Sequence, residues 1–428
     1  MSTRAPAYAR LCFSLGRTAG RLSRLTGRGG GGTMPGHVVL RLRPDALREL
    51  TLGKTVVLVS GTNGKSTTSR LLAAAAAHRG PVATNADGAN LLPGLVSALV
   101  AGPTAPATVV LEIDELFLPA ALAATGAQTV VLLNLSRDQL DRVREVGSHV
   151  TRWGAALRAH PDVQVVANSD DPLIVAAVRS ARSDDADVVW VAAGSPWRSD
   201  ASLCPRCGFG WDAVAEPWLC SSCGLAAPTP TWSLSPDRSL VGATGQRTAL
   251  NLALPGRASA ANAVMAAAAA DLLGIPVGEA VNRFRAVHDV DGRYLQVQID
   301  GRPVSLLLAK NPAGWLEVLA ELATSSGALL LGINAKIADG TDPSWLWDVP
   351  FEQLRGRRIV AFGERALDLS VRLHYAEVEH VVQPDVTLAL GLVAGLPVQV
   401  AANYTAFTHA RTILRTAATA AATGHGAA

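Results

Sequence analysis

The chain has 428 residues, enough for two or three domains, and 49% of them are hydrophobic while 17% are charged. The formal net charge of +3 gives no sign of a nucleic-acid-binding surface, and no apolar run reaches the roughly 20 residues that span a bilayer. Scarce aromatic residues and abundant alanine favour helices packed on sheets around a large core.

The N-terminal segment is strongly basic, with six arginines and no acidic residue in positions 1–36. Residues Ala7–Leu25 have the pattern of a basic amphipathic helix. This composition fits a transit peptide, a peripheral contact with a membrane surface, or a solvated basic tail. Because the apolar core of a signal peptide is missing, we expect the chain to remain cytoplasmic and at most to reach the inner face of the plasma membrane.

A glycine-rich segment, SGTNGKST (Ser60–Thr67), follows the apolar β-branched run Lys54–Ser60 and precedes the alanine- and leucine-rich run Ser66–His78. The pattern predicts a buried strand, a glycine loop and a helix, a geometry that surrounds phosphates with backbone N–H groups and a helix N-terminus. Lys65 lies in this loop as one of four lysines among 34 arginines, which indicates a place too tight for a guanidinium group.

We expect the loop to bind a nucleoside triphosphate through Gly61, Thr62, Asn63, Gly64, Lys65, Ser66 and Thr67. On this interpretation Lys65 contacts the β- and γ-phosphates, and Ser66 binds Mg²⁺ with Thr67 beside it. The loop is shorter than the full phosphate-binding pattern, because Val59 occupies the position of its first glycine. The alternative is a plain glycine turn that joins a strand to a helix.

After the loop, short β-branched runs alternate with segments that are long enough for helices. The predicted strands are Thr108–Ile113, Thr129–Leu133, Val163–Asn168 and Val188–Ala193. This alternation indicates a doubly wound α/β domain, in which ligands bind at the carboxyl ends of the strands. Glu112 and Asp114 close the first of these strands, where an acid can reach the Mg²⁺ of a nucleotide. A solvent-exposed carboxylate is the alternative.

The segment NLSRDQLDR follows the second of these strands and contains Asn134, Arg137, Asp138 and Asp141. Its charged groups are compatible with a further contribution to the site. They are equally compatible with a solvated helix start that has Ser136 as its cap.

Four of the five cysteines form two CxxCG knuckles, Cys204–Cys207 and Cys220–Cys223, separated by twelve residues. This spacing predicts a tetrahedral thiolate zinc site, which is structural because the protein fills all four ligand positions. Two disulfides are the competing interpretation. The surrounding segment Ser195–Trp232, rich in Pro, Trp, Cys and Gly, predicts a zinc ribbon inserted into the larger domain.

Beyond the ribbon, Arg257–Gly274 predicts a helix, and Asp291–Gly301 has the composition of a hinge between domains. A second α/β pattern begins at Arg302, with predicted strands at Val304–Leu308, Ala328–Ile333, Arg358–Phe362 and Val398–Ala401. We therefore expect a basic segment over residues 1–50, a nucleotide-binding domain over 51–300 with the ribbon at about 196–232, and a C-terminal domain over 301–428.

The second domain holds Lys310, in LLLAKNPAGW, and Lys336, near the start of a long loop rich in Asn, Asp, Gly and Trp. Loops of this kind often carry function. Its acids Asp339, Asp342 and Asp348 are therefore candidates, and residue type alone does not choose among them.

Together these motifs resemble the Mur ligases. GTNGKST, the strand-end glutamate and the segment after the next strand are similar to their central ATPase domain. GRASAANAVMAAAAADLLGI is similar to their Asn-containing helix near the adenine, with Asn262 in the matching position. NLSRDQLDR, the four-cysteine ribbon, LAKNPAGW, DGTDPSWLWDVPFE and ANYTAF are similar to the MurT family, the ligase subunits of lipid II isoglutaminyl synthase. This resemblance extends from about Leu11 to Leu414.

The resemblance implies a Mur ligase-type central ATPase domain, a mostly parallel sheet with the inserted ribbon, followed by a C-terminal Rossmann-like domain. It also implies an ATP-dependent carbon–nitrogen ligase of peptidoglycan synthesis, which amidates the D-glutamate α-carboxylate of lipid II to D-isoglutamine through an acyl phosphate. Lys65 would bind the phosphates, and Glu112 would hold Mg²⁺ together with Ser66. Asn262 would contact the adenine, and Arg293, near the predicted hinge, would sense the nucleotide on domain closure.

The resemblance further implies a heterodimer with a GatD-type glutaminase, whose Cys and His release ammonia from glutamine. An aspartate of the C-terminal domain would complete a Cys–His–Asp arrangement across the interface. We assign this role to Asp348 in WLWDVPFE. Trp345, Trp347 and Phe351 flank it and are expected to exclude water around it. Asp342 is the reserve candidate.

The chain departs from the general Mur pattern in three places. About fifty residues precede the loop, too few for the domain that grips a UDP-linked substrate, and a lipid II substrate would not need that grip. Gln139 stands where these ligases commonly carry a metal-binding histidine. No lysine lies between Lys65 and Lys310, so a carbamoylated lysine for a second Mg²⁺ is absent and that metal site stays open.

Two other functions fit parts of the pattern. One is a Mur-like ligase that joins an amino acid or glutamate, as folylpolyglutamate synthase does. The other is a nucleotide-binding scaffold whose ribbon contacts protein or nucleic acid. The ribbon and the DGTDPSWLWD loop argue against the first, and the weak basic charge together with Glu112 argues against the second.

Overall fold

A computed structural model describes residues 7–25, 33–85, 88–103, 106–137, 146–184, 187–194, 197–211, 217–288, 293–323 and 326–424. These residues form two compact units. The first contains the described residues up to Leu135 and those from Val146 to His288. The second contains Ser136, Arg137 and the described residues from Arg293 onward. The chain therefore leaves the first unit after Leu135 and has returned to it by Val146.

The first unit is built on a mostly parallel sheet. Its strands are β1 (Thr55–Ser60), β2 (Val82–Thr84), β3 (Thr108–Ile113), β4 (Thr129–Leu132), β5 (Gln164–Asn168), β6 (Val188–Ala192), β7 (Trp232–Leu234), β8 (Ser239–Val241) and β9 (Arg247–Ala249). They lie in the order β2-β3-β1-β4-β5-β6-β7-β8-β9, and the last three are joined by antiparallel pairing. The central strands are continuous apolar runs because both faces of a parallel sheet are covered.

Helices cover both faces of this sheet. They are α1 (Ala7–Leu25), α2 (Met34–Leu42), α3 (Ala46–Thr51), α4 (Lys65–Ala76), α5 (Leu92–Ala101), α6 (Leu118–Thr125), α7 (Val146–Ala159), α8 (Pro172–Arg179), α9 (Gly256–Leu272) and α10 (Val277–Phe284). Successive residues of β1 alternate between the two layers, with Val57 facing α4, α9 and α10 and Leu58 facing α5 to α8. Among the described residues, no helix has the length and apolarity needed to cross a membrane.

The second unit has its own sheet, in the order β10-β11-β15-β12-β13-β14. Its strands are β10 (Tyr294–Ile299), β11 (Arg302–Leu308), β12 (Ala328–Gly332), β13 (Ile359–Phe362), β14 (His380–Val382) and β15 (Val398–Ala402), and its helices are α11 (Pro312–Ala323), α12 (Ala366–Tyr375), α13 (Val386–Leu392) and α14 (Tyr404–Gly424). Only β10 pairs antiparallel among these described strands. Two short 3₁₀ helices, Ser344–Asp348 and Phe351–Leu354, follow β12.

The predicted fold class is confirmed, since both sheets are mostly parallel and the cysteine ribbon is inserted in the first unit. Two local details refine the expected bounds. Tyr294–Ile299, inside the predicted hinge, is β10, so the predicted boundary after residue 300 falls within the β10–β11 hairpin. The ribbon ends before Trp232, because Trp232 begins β7 and pairs with Val191 of β6. The strands β7 to β9 have three residues each, too few for an alternating pattern to reveal them.

Candidate functional site

Lys65 is the first residue of α4 and is buried at the glycine loop. Its Nζ donates to the carbonyl oxygens of Gly61 and Thr62, the second at 3.1 Å, and lies 3.0 Å from Oε2 of Glu115. The ammonium is thus folded back over the loop and its charge is balanced by a mostly buried carboxylate. Glu115 is not among the residues predicted from the sequence, although EIDEL places it just beyond the end of β3.

Asn134, two residues after the end of β4, holds the loop in place. Its carbonyl accepts the N–H of Thr62 at 2.9 Å, its Oδ1 accepts the N–H of Asn63 at 2.8 Å, and its Nδ2 donates to the carbonyl of Asn63 at 3.0 Å. The N–H groups of Thr62 and Asn63 are therefore engaged by the neighbouring strand end. The first turn of α4, from Lys65 to Thr67, is the part of the loop region that suits an anion, because the positive end of the helix dipole lies at a helix N-terminus.

Gly64 caps α4 in a conformation that glycine adopts readily, with φ of +87°. A Cβ at this position would lie 2.4 Å from Oδ1 of Asn262, so no larger residue fits without displacing that side chain. Asn262 reaches the loop from α9, whose alanines allow it to pack closely against α4. The structure therefore brings Asn262 together with the loop.

Glu112 lies within β3 and is buried at the carboxyl edge of the sheet. It is opposite Val59 of β1, one residue before the loop-proximal end of that strand. Its backbone is held by Asn85, which accepts its N–H at 2.9 Å and donates to its carbonyl at 2.8 Å. Its Oε1 accepts from Nδ2 of Asn90 at 3.4 Å. A buried carboxylate at this edge is a suitable oxygen ligand for Mg²⁺.

Asp114, the other predicted acid at this strand end, makes a hydrogen bond within its own turn. Its Oδ1 accepts the N–H of Leu116 at 3.0 Å, as in a turn that begins with an aspartate. The later acids Asp138 and Asp141, together with Gln139, lie outside the described residues. Arg293 belongs to the second unit, where its carbonyl accepts the N–H of Leu308 at 3.0 Å.

The four knuckle cysteines converge on one point of the ribbon. Their sulfur atoms all lie within 4.8 Å of one another, and the Cys204–Cys223 and Cys207–Cys220 sulfur pairs are 3.6 and 3.7 Å apart. A disulfide needs about 2.05 Å, whereas four thiolates around zinc at about 2.3 Å lie roughly 3.8 Å apart. The disulfide alternative is therefore wrong for this structure, and the thiols fit tetrahedral zinc.

The two knuckles have the same backbone pattern, as expected of paired metal ligands. In the first knuckle, the N–H of Cys204 donates to the carbonyl of Phe209, and the carbonyl of Cys204 accepts the N–H of Gly208. In the second knuckle, Cys220 makes the two equivalent backbone contacts. The N–H of Phe209 favours the Cys207 thiolate and lowers the pKa of that thiol to about 7, whereas burial raises the pKa of the Cys204 thiol to about 12. Thiolates are the form that binds zinc.

In the second unit, Asp339 is buried where the carboxyl ends of β12 and β15 meet. Its carboxylate accepts the N–H of Thr405 at 2.8 Å and the hydroxyl of the same residue. Next to it, Asn334 and Asn403 exchange hydrogen bonds of 3.0 and 2.6 Å between side chain and backbone. This network ties the long loop to the start of α14, so Asp339 has a structural explanation. Asp342 accepts the N–H of Ser344 at 2.9 Å and is exposed.

Asp348 ends the short helix Ser344–Asp348, and its Oδ2 lies 3.4 Å from a guanidinium nitrogen of Arg137. Its side chain is 38% exposed. The predicted apolar surround is wrong in part, because Trp345 and Phe351 are buried in the core of the unit instead of covering Asp348. Trp347 is itself exposed, so the described part of the chain does not shield Asp348 from water.

An exposed apolar surface lies beside Asp348. Leu367, Val371 and Tyr375 project from one side of α12 at positions i, i+4 and i+8, and all three are exposed. We call these three residues the α12 stripe. The ring of Trp347 meets that of Tyr375 edge to face, with centroids 5.4 Å apart, and so connects the stripe to the Asp348 segment. This surface is not among the features predicted from the sequence, although the four-residue spacing of its apolar residues is a signal for it.

Comparison with known proteins gives consistent matches. Residues 308–407 match the family model described as MurT ligase C-terminal. The MurT subunit of lipid II isoglutaminyl synthase (glutamine-hydrolysing) from Streptococcus pneumoniae is 30% identical over 84% of this chain and 86% of its own length. Its counterpart from Staphylococcus aureus (strain N315) is 28% identical over 85% and 87%, respectively.

Solved structures share the fold at low identity. A pseudomurein peptide ligase type C from Methanothermus fervidus superposes with a TM-score of 0.64 and 17% identity, over 85% of this chain and 79% of that protein. Folylpolyglutamate synthase from Mycobacterium tuberculosis, complexed with ADP, superposes with a TM-score of 0.59 and 15% identity, over 88% and 92%. These likenesses show that the chain has the Mur ligase fold.

Proposed function

Because this chain belongs to the MurT family, the ligase subunits of lipid II isoglutaminyl synthase, we propose that it amidates the D-glutamate α-carboxylate of the lipid II stem peptide. The chain is an ATP-dependent ligase of peptidoglycan synthesis. The amidation would produce D-isoglutamine and would use ammonia from a GatD-type glutaminase subunit. The observation that carries this chemistry is the buried Lys65 ammonium at the N-terminus of α4, with the carboxylate of Glu112 on the adjoining strand.

A carboxylate resists attack by ammonia because its negative charge is spread over both oxygens. Transfer of the γ-phosphoryl group of ATP to one carboxylate oxygen forms an acyl phosphate and releases ADP. Ammonia then attacks the carbonyl carbon, the tetrahedral intermediate expels inorganic phosphate, and loss of a proton leaves the neutral amide. The protein has to hold two anions close together, which requires compensating positive charge and fixed geometry.

The residues of the loop are suited to this task. The N–H groups at the start of α4 and the ammonium of Lys65 would bind the β- and γ-phosphates, and Glu115 would orient the ammonium. Glu112 and Ser66 would hold Mg²⁺, which neutralises phosphate charge when bound. Asn262 would contact the nucleotide from α9, and Arg293 would respond to it from the second unit.

Asp348 would complete the Cys–His pair of the glutaminase. An orienting carboxylate supplied across an interface has to be accessible before the partner binds, and Asp348 is accessible in this unit. The adjoining α12 stripe, with Trp347, gives the partner an apolar surface to cover. On binding, this cover would exclude water from Asp348, which the described residues of the chain alone do not do.

The experiment combines the chain with a GatD-type glutaminase, ATP, Mg²⁺ and lipid II, and follows the stem peptide by mass spectrometry. We expect amidated product with glutamine, and also with an ammonium salt when the glutaminase is omitted. Free amino acids should give no product. Ligation of an amino acid would favour an amino-acid ligase, and absence of amidated product with both glutamine and ammonium would contradict the amidation.

The zinc assignment has its own expected result. Replacing Cys220 with serine should lower the metal content from about one zinc per chain to near zero, because three thiolates and a hydroxyl make a poor site. The melting temperature should fall as the ribbon loses its crosslink. Cys12→Ser is the matched control, since Cys12 is equally buried but lies on α1, outside the cluster. Full zinc content in the Cys220→Ser variant, measured by atomic emission, would contradict the assignment of a zinc site to the four cysteines.

A further inference from the structure

Helix α1 packs with its small residues inward. Gly16 and Gly20 lie against α2, where an added Cβ would come within 2.6 Å of Val39 Cγ2 and 2.7 Å of Pro35 Cγ, respectively. Cys12 is buried on the same side. The close fit fixes which face of α1 is turned toward the rest of the first unit, and therefore which face is turned outward.

The outward face is apolar. Tyr8, Leu11 and Leu15 recur at positions i, i+3 and i+7, and they are 55%, 56% and 48% exposed. We call these three residues the α1 stripe. A helix on the surface of a globular domain normally turns such a stripe toward the core. Here Phe13 packs against the core, but Tyr8, Leu11 and Leu15 are exposed, so these three side chains are available to a medium other than water.

The face of α1 that adjoins this stripe is cationic. Arg17 and Arg21, four residues apart, are both exposed. The segment around them is one-sided in charge, because eight arginines and no acidic residue precede Asp45. An apolar stripe beside a cationic face is the arrangement of helices that lie in the headgroup region of an anionic membrane.

We propose that α1 lies on an anionic lipid surface. The α1 stripe enters the boundary between headgroups and acyl chains, to a depth of about 5–10 Å, and Arg17 and Arg21 bind lipid phosphates. A second copy of the chain is a poor occupant, because pairing two such helices would bring like charges together. The proposal does not rest on the proposed reaction, since it concerns a face of the molecule on which we place no catalytic residue.

The test uses the full-length protein and sedimentation with lipid vesicles that contain no lipid II. We expect the protein to sediment with vesicles of phosphatidylglycerol and phosphatidylcholine, to remain in solution with phosphatidylcholine alone, and to be released as salt is raised. The double variant Leu11→Ser/Leu15→Ser should bind at least about tenfold more weakly. Leu219→Ser is the matched control, because Leu219 is 58% exposed but lies on the ribbon.

Circular dichroism and the melting temperature separate lost binding from lost folding, and both should be unchanged because the substituted leucines are exposed. The variant Arg17→Ala/Arg21→Ala gives an independent measure, with an expected loss of about tenfold on anionic vesicles. Equal binding by wild type and the leucine variant would overturn the proposal. The proposal would also be overturned if the wild-type protein did not bind vesicles and light scattering showed it to be a dimer, with the leucine variant monomeric.

Discussion

Replacing Lys65 with alanine is expected to lower ATP-dependent product formation at least about 100-fold, the cost of removing one preorganised charge from a phosphoryl-transfer site. The ammonium is the positive group that the described structure places at the loop, and the carbonyls of Gly61 and Thr62 orient it. Lys65→Arg should not restore activity, because a guanidinium group is larger than the space bounded by these carbonyls and Glu115. Turnover is measured as phosphate release with lipid II and an ammonium salt.

Lys54→Ala is the matched control for this result. Lys54 directly precedes β1 and therefore lies at the opposite end of the same strand from the loop. Its loss should leave turnover within about twofold of wild type, because this half-buried lysine lies at the end of the strand away from the loop. Product formation by Lys65→Ala at the wild-type rate, with unchanged melting temperature, would exclude the loop as the catalytic phosphate site.

Replacing Asp348 with asparagine is expected to lower glutamine-dependent amidation at least about 100-fold while ammonium-dependent amidation continues at the wild-type rate. The amide keeps the size of the side chain but loses the charge that orients and stabilises a protonated histidine. Because ammonium bypasses the glutaminase, the contrast between the two nitrogen sources isolates this role from ATP binding. Both rates are measured on the same complex of the chain with its glutaminase.

Asp342→Asn separates the two candidate aspartates. Asp342 accepts the N–H of Ser344 and an asparagine can keep that contact, so this variant should retain both activities. If Asp342→Asn instead loses glutamine-dependent turnover and Asp348→Asn does not, the role belongs to Asp342. A gel-filtration check that the Asp348 variant still binds the glutaminase excludes simple loss of the complex.

The sequence predicted most of the first unit because its signals are local. The strand–loop–helix around Lys65 and the strand Thr108–Ile113 appear in the structure within one or two residues of the predicted bounds. Continuous β-branched runs and a glycine loop depend on neighbouring residues alone. The cysteine knuckles were predictable for the same reason, since their spacing already places the thiolates around one point.

The parts that the sequence did not reveal depend on long-range packing. The contact of Glu115 with Lys65 joins residues fifty positions apart, and no local pattern announces it. Whether Trp345 and Phe351 would shield Asp348 or fill the core depended on the path of the loop, and they fill the core. Likewise, the periodicity of α1 indicated an amphipathic helix, but only its packing on α2 shows that the apolar stripe is turned outward.

Because the chain leaves the first unit after Leu135, the second unit is not a single continuous segment of sequence. This affects how the two units can be produced as separate fragments. Arg137 belongs to the second unit, although in sequence it lies between two parts of the first unit. Its guanidinium group forms an ion pair with Asp348. A fragment that starts at Arg293 would therefore contain the whole described sheet of the second unit but lack this cation. If the proposed glutaminase docks beside Asp348, its affinity measured on such a fragment would report a more negative face than the intact chain presents. Truncating the chain before Arg293 therefore changes the surface around Asp348 that the fragment is meant to represent.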